Sequence, residues 1–427
     1  MKNSVNIVVV GGGFAGVAAV KELLRAESEI KANITLVDRN SYHLFTPSLY
    51  EIATSEEPTV NIAVPFTEIF GDKVKYVTGN TDKINQSDHN LTVNGQTLKY
   101  DYLIICLGSE PAYYHIPGLQ EHSFALKSLQ DAITIKNKIS NACCKENECK
   151  KKAQIIVGGG GFTGTELAAE LLSYKDRLSK QKNLDPDCLE ITIIQGSDRL
   201  LKELDNHVSK IATKRVSGSQ VHLAFGGHIK EVTDTTVITD NGKSYPYDVI
   251  LWTGGVQANS WAKINEFDVN KRGQINVNSF LQTTDAKIFA AGDIAGYVDP
   301  QTKKSAPNVA QIAEDQGRAA AKNVVNMILQ KPLINYHLRH WGYIVPLKGR
   351  YAAAEFKENL HFDGFLGWVL QELVFLYYLL GIVGFFKAVK RWNKVLMDYD
   401  KNLADNTGQL TQLSPTTTLT QSAEEKD

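Results

Sequence analysis

Two short glycine-rich segments, each set between an apolar strand and a helix, constrain this chain more than anything else in it. The first is Gly11-Gly12-Gly13-Phe14-Ala15-Gly16, which follows Ile7-Val8-Val9-Val10. The second is Gly159-Gly160-Gly161-Phe162-Thr163-Gly164, which follows Ile155-Ile156-Val157. Glycines at such a turn permit the tight reversal and let the backbone approach a pyrophosphate, which then rests on the helix N-terminus. A single G-x-G-x-x-G is weak evidence, because glycine loops also serve as plain turns. Two copies in the same strand-to-helix setting point to a chain that holds two dinucleotides and passes electrons between them. The expected fold class is α/β, with two Rossmann-like dinucleotide-binding domains.

The length of 427 residues accommodates two or three domains. A formal net charge of -1 gives no basic surplus for nucleic acid. The first apolar strand begins too early to leave room for a signal peptide. Five cysteines are an odd number without framework spacing. Cys143, Cys144 and Cys149 fall in a polar, lysine-rich stretch and are expected to be solvated thiols rather than metal ligands. Reduced cysteines suit the cytosolic side of a membrane.

Residues 5–38 read strand, helix, strand, with Val17, Val20, Leu23 and Leu24 on one helical face. The second strand ends at Asp38, about 20 residues past the last glycine, where a carboxylate hydrogen-bonds an adenosine ribose. Tyr102-Leu103-Ile104-Ile105 runs into Gly108-Ser109, suited to close backbone approach to a ring or phosphate. Pro111 and Pro117-Gly118 mark a crossing between domains. The second βαβ unit covers about 153–195 and closes on Gln195. Two later apolar strands end in Thr253-Gly254-Gly255 and in Gly292-Asp293, and a helix is expected from Pro307 to Met327. Gly364 to Phe386 is almost wholly apolar, interrupted by Gln371-Glu372. Lys387, Lys390, Arg391 and Lys394 follow at i, i+3, i+4 and i+7, a basic amphipathic helix beside an apolar one. The tail 401–427 is polar and expected to be disordered.

In this order, several segments together resemble the type II NADH:quinone oxidoreductases, single-subunit flavoenzymes that do not pump protons. They are Leu36-Val37-Asp38-Arg39-Asn40-Ser41-Tyr42-His43-Leu44-Phe45, Tyr50-Glu51-Ile52-Ala53, Thr163-Gly164-Thr165-Glu166-Leu167-Ala168, Trp252-Thr253-Gly254-Gly255-Val256, Ala291-Gly292-Asp293, Ala310-Gln311-Ile312-Ala313 and Leu376-Tyr377-Tyr378-Leu379. The resemblance implies FAD in the first fingerprint and NADH in the second. Gly11, Gly13 and Gly16 would cradle the FAD pyrophosphate, Asp38 its ribose, and Asp293 the ribityl chain or a phosphate. Gly159, Gly161 and Gly164 would hold the NADH pyrophosphate, and Glu166 would orient the carboxamide. Phe14, Ala15, Arg39, Gly108, Ala310, Phe162, Thr163, Gln195, Gly254 and Gly255 complete the expected cofactor-binding set. The FAD domain would comprise 1–117 and 256–330, the NAD(P)H domain 118–255, and a membrane-binding region 331–400. Family analogy adds a homodimer. The acceptor would be a membrane quinone, menaquinone or ubiquinone, lined by Gln311 and Asp315 at i and i+4 of one helix face, with Asp315 relaying a proton.

Three departures from the family pattern stand out. Gln195 replaces the acid that repels a 2′-phosphate, and Arg199 nearby adds attraction, which admits NADPH beside NADH. Asp315 stands where the quinone motif carries a second glutamine. Cys106-Leu107 replaces a common Ala-Thr and reads as packing variation. The stretch 364–386 is long enough to span a bilayer of about 20 residues' depth. Glu372 near its middle would cost roughly 2.5–3.5 kcal/mol there. Monotopic binding avoids that cost, with the four cations on the headgroups of the cytoplasmic leaflet. A sulfide:quinone reductase needs a redox cysteine late in the chain, and none follows Cys188. A glutathione-reductase-like enzyme needs a cysteine pair between Asp38 and Cys106, where there is none. An NADH-responsive flavoprotein without turnover is the remaining alternative.

Overall fold

The computed structural model describes residues 4–54, 62–143, 152–182, 188–217, 221–356 and 360–400. The tail 401–427 and the thiols of Cys144 and Cys149 lie outside them. Two five-stranded parallel sheets carry the fold. The first runs Ile288–Ala290, Tyr102–Ile105, Val5–Val10, Ala32–Asp38, Lys75–Thr78. The second runs Ser123–Ala125, Val249–Trp252, Ala153–Gly158, Leu189–Gln195, Val221–Phe225. In each, the strand that feeds a glycine turn is central, with the chain crossing over on both sides of it. Ligands of open α/β sheets bind at the carboxyl ends of the strands where the winding reverses, and both glycine turns sit there.

The strands are β-branched because both faces are covered. Ile7 and Val9 pack with Val17, Val20 and Leu23, whereas Val8 and Val10 pack on the opposite face with Leu103 and Ile105. The strand Ile288–Ala290 joins the first sheet although it follows the whole second sheet in sequence. The two chain crossings between the sheets, Ser109–Pro111 and Val256–Ala258, pair antiparallel with each other.

Helix Phe14–Arg25 lies across helix Ala310–Ile328. The crossing is close because Gly317 faces the Ala15 carbonyl, with no room for a Cβ. Cys143 is buried in the core beneath the second sheet, not solvated as its polar neighbours suggest, because it ends the inward face of helix Leu129–Cys143.

The region after residue 330 is not wholly helical. Gly342–Pro346, Ala352–Phe356 and Leu360–Phe362 form an antiparallel sheet, and Val345, Leu347 and Ala353 enter the second unit's core. Helix Phe365–Val383 then buries Trp368, Phe375, Leu379 and Ile382, while Leu366, Leu373, Val374 and Tyr377 point outward, Tyr377 at 79% exposure. Its last turn is held by Lys21, whose Nζ donates to the Ile382 carbonyl at 3.3 Å, a cation at a helix C-terminus. After Gly384, helix Phe385–Asp400 keeps Lys387, Lys390 and Lys394 exposed. Arg391 departs from that expected basic face. Its guanidinium clasps Glu68 at 3.2 and 2.7 Å, and helps hold that carboxyl below the usual range.

Replacing Gly317 by valine forces the helix crossing apart. The expected loss is about 1–3 kcal/mol, as for other overpacked cores. Thermal denaturation checks it against Gly381→Ala, where an added Cβ meets nothing within 4 Å and the melting temperature should not fall.

Candidate active site

The first turn is built by exclusion. Gly11 has φ +97° and backs onto the Cys106 carbonyl, and Gly16 backs onto the Gly11 carbonyl, so a side chain fits at neither. Gly13 is different: a Cβ there would meet nothing within 4 Å. Gly13 is also the N-cap of helix Phe14–Arg25 and supplies no side-chain cap, so the helix presents its N–H groups outward. An anionic pyrophosphate fits such an end. Asp38 closes the turn, accepting from the Gly12 N–H at 2.6 Å and the Asn40 N–H at 2.7 Å. Burial raises its pKa, while those two donors oppose the rise. Arg39 follows it, and Phe14 and Ala15 are buried in the first turn of the helix.

Farther along the crevice, Asp293 Oδ2 accepts from Ser109 Oγ at 2.6 Å, and Lys127 Nζ donates to Ser109 Oγ at 3.0 Å. Gly108 and Gly292 both take positive φ beside this network. The Gly292 N–H donates to the buried Gln316 amide at 2.8 Å. Ala310 opens its helix after Val309, which also caps without a side chain. Lys127 was not legible in sequence. It lies outside both fingerprints, just past strand Ser123–Ala125, and reaches Ser109 only through the fold. Burial lowers its pKa, opposed by the Asp293 charge.

The second turn repeats the first. Gly159, at φ +111°, backs onto Gly254, and Gly164 onto the Gly159 carbonyl, while a Cβ on Gly161 would meet nothing within 4 Å. Gln195 Oε1 accepts from the Gly160 N–H at 2.8 Å, the bond that Asp38 makes to Gly12. The Gln195 amide nitrogen turns to Ser197 Oγ at 2.6 Å. Arg199 departs from expectation: its Nη2 donates to the carbonyls of Lys202 and Leu204 at 3.1 and 3.4 Å. A cleft lined by Arg199, Lys210 and Lys214 opens beside Phe225, the strand partner of Gln195. Thr163 is exposed, Phe162 stacks at 5.0 Å on Tyr343, and Gly255 faces the Tyr114 hydroxyl. Burial pushes Glu166 up to about 8, and the Glu51 charge adds to the rise. At neutral pH Glu166 is therefore a protonated donor rather than a carboxylate.

On helix Ala310–Ile328, Gln311 and Asp315 do not act alike. Gln311 Oε1 accepts weakly from the Trp341 N–H at 3.5 Å, and its buried Nε2 has no protein partner. Asp315 is instead held by Arg318 Nη1 at 3.0 Å, and Arg318 also binds Glu314. Burial pushes Glu314 up to about 7.

A sequence model of the pyridine nucleotide-disulphide oxidoreductases matches residues 5–317. The chain belongs to that family. Among its relatives, a type II NADH:quinone oxidoreductase of Haemophilus influenzae is 29% identical over 80% of this chain and 85% of that protein. An internal alternative NAD(P)H-ubiquinone oxidoreductase of Arabidopsis thaliana mitochondria is 26% identical over 87% and 80%. The solved structure of NDH2 from Plasmodium falciparum with NADH superposes with a TM-score of 0.81 over 93% of this chain and 98% of that one, at 17% identity. That likeness is one of fold.

The family name includes disulphide chemistry, yet the cysteine nearest the first turn cannot supply it. Cys106 is buried against Gly11 and Gly16, and burial raises its thiol pKa far above the ordinary range. Such a thiol is inert. The two turns, by contrast, fit two dinucleotides. Gly13→Ala tests the first: its φ of -73° is ordinary and the added methyl touches no protein atom. The variant should fold with an unchanged circular dichroism spectrum and lose most of its bound flavin, because the methyl occupies the side from which a pyrophosphate would approach.

Proposed function

We propose that the chain is an FAD-dependent type II NADH:quinone oxidoreductase. It binds FAD at the first turn and NAD(P)H at the second. The overall change is NAD(P)H plus a proton plus quinone giving NAD(P)⁺ and quinol, without proton pumping. Bound flavin supplies the chemistry, accepting a hydride from the nicotinamide and passing two electrons to the quinone. The observation that carries the quinone reading is the seat of helix Phe365–Val383. One of its faces packs on the helix of the first turn, with the Phe14 and Tyr378 rings 5.2 Å apart, and the other is apolar and exposed. A lipid-facing element in contact with the flavin loop suits an acceptor dissolved in the bilayer.

The chain's own residues divide the work. Gly13 and Asp38 receive the FAD pyrophosphate and ribose, and Asp293, Ser109 and Lys127 form a polar wall further along. Gly161 and Gln195 receive NAD(P)H, and neutral Glu166 donates to the carboxamide oxygen. Gln311 Nε2 is the free donor for the quinone. Asp315, already paired with Arg318, serves as the end of a charged group rather than as a lone relay.

The enzyme sits on the membrane and does not cross it. Spanning would strip Phe375, Leu379 and Ile382 from the body they are buried against. Lying in the plane, Phe365, Leu366, Leu373, Val374, Tyr377, Phe385 and Phe386 enter the lipid, and each fully buried one contributes about 1.5–3 kcal/mol. Lys387, Lys390 and Lys394 add about 1 kcal/mol each at anionic headgroups. The cytoplasmic leaflet is the side that offers both NAD(P)H and those headgroups.

The decisive experiment is anaerobic. NADH should bleach the flavin absorbance of the purified protein, and a short-chain menaquinone or ubiquinone analogue should restore it within the turnover time. Bleaching without recovery would sink the assignment. NADPH should bleach it too, because Gln195 lacks the charge that repels a 2′-phosphate. Gln195→Glu is expected to slow bleaching by NADPH about tenfold or more while sparing NADH, the effect of a carboxylate facing a phosphate. Above pH 8 the Glu166 proton is lost, so bleaching by NADH should slow there. Glu166→Gln keeps a neutral donor, and its rate should stay level from pH 7 to 9 in stopped-flow traces.

A further inference from the structure

His43 binds neither the proposed cofactors nor quinone, yet it occupies a singular place. It lies in strand Tyr42–Leu44 and is fully buried. Its Nδ1 is 3.0 Å from the Gly12 carbonyl, inside the first glycine turn, and its Nε2 is 2.7 Å from the Tyr378 hydroxyl, on the lipid-facing helix. A carbonyl can only accept, so Nδ1 carries the proton and Nε2 accepts from Tyr378. Both ring nitrogens are thereby satisfied in one neutral tautomer, and burial agrees, lowering the imidazole pKa to about 4.

The chain of bonds ends on a backbone carbonyl, so it cannot carry a proton through. It can only hold things in place. The surrounding rings share that purpose. Phe14 meets His43 edge-on at 5.0 Å, and Phe45 contacts both Phe375 and Tyr378, at 4.7 and 5.3 Å. Adjacent Tyr377 faces outward, so lipid binding does not need Tyr378. The apolar ring contacts tolerate rotation and sliding of the helix, whereas the two hydrogen bonds define one register.

We propose that His43 is a positioning residue for the second half-reaction: through Tyr378 it locks the lipid-facing helix in one register against the flavin-binding turn, and so sets the pose in which quinone meets the flavin. The proposal rests on the quinone reductase reading. It separates the two halves of turnover, because both bonds are made at the first glycine turn and neither touches the second.

The test uses the full chain with its flavin, in detergent and on phosphatidylglycerol vesicles. Tyr378→Phe removes the donor. His43→Asn keeps an amide where Nδ1 was and loses the Tyr378 bond; His43→Gln keeps an acceptor near Nε2 and loses the Gly12 bond. Tyr378→Phe and His43→Asn should each raise the quinone KM or slow flavin recovery by about tenfold, the weight of one buried hydrogen bond. Bleaching by NADH should stay within about twofold over the same variants. The double variant should be no worse than either single one, and His43→Gln should recover part of the loss. In the flavin-free protein, hydrogen–deuterium exchange over 365–383 should already be faster in Tyr378→Phe than in wild type. Wild type that bleaches but never recovers would bring down the quinone reading and this proposal together. Wild type that recovers, with both variants recovering equally fast, or with bleaching slowed as much as recovery, would overturn the proposal alone. Additive losses in the double variant would overturn it as well.

Discussion

The close crossing of two helices at Gly317 and Ala15 underlies the architecture of the first site. At that point the helix after the first glycine turn touches the helix that follows Gly292-Asp293. The contact brings residues nearly 300 positions apart into one crevice, and it places Gln316 where its amide accepts from the Gly292 N–H. It also leaves another flank of helix Phe14–Arg25 free for helix Phe365–Val383, which Lys21 then tethers. The first glycine turn, helix Ala310–Ile328 and helix Phe365–Val383 are thus all seated on a single short helix. A displacement of that helix would reach all three.

The same economy governs the pair of glycine turns. In each, the residue ending the neighbouring strand accepts a hydrogen bond from the middle glycine, Asp38 on one side and Gln195 on the other. Geometry is conserved between the two halves while charge is not. Asp38 brings a negative charge that suits ribose hydroxyls and rejects an extra phosphate. Gln195 keeps the acceptor without the charge, and its amide nitrogen donates to Ser197. On the proposed reading, selectivity between the nicotinamide cofactors would be set by an absent repulsion more than by any new attraction. Arg199 lines the neighbouring cleft, but its guanidinium is engaged by the Lys202 and Leu204 carbonyls.

Both nucleotide turns were legible in the sequence because glycine spacing and strand hydrophobicity are local signals. The parallel sheets followed from them, and so did the late strand at Ile288–Ala290, whose apolar run ends in glycine. Lys127 and His43 were not legible as functional residues. Each acquires its partner only when distant segments return, Lys127 to Ser109 and His43 to Tyr378, and no periodicity encodes such a meeting. The antiparallel sheet of 342–362 escaped notice because its strands are short and lie beside a far stronger apolar signal. Arg391 shows a limit of helical spacing: the i, i+3, i+4, i+7 pattern groups it with three exposed lysines, but Glu68 from another helix claims it.

Helix Phe365–Val383 shows why spacing alone could not choose between spanning and lying flat. Apart from Gln371 and Glu372 it is apolar all round, so its sequence marks no clear inner face. The division into inner and outer faces is made by the body it rests on, where Phe14 and Phe45 select Phe375 and Tyr378 and leave Tyr377 exposed. Glu372 fits the same logic. It is only partly exposed, and burial together with the Glu51 charge pushes its carboxyl up to about 7. Glu166 and Glu170 are raised by the same two causes. If ionised, these three carboxyls would repel the phosphates of an incoming dinucleotide. Burial instead leaves much of this group protonated near neutral pH, so the junction of nucleotide site and membrane helix can be rich in acids without being strongly anionic.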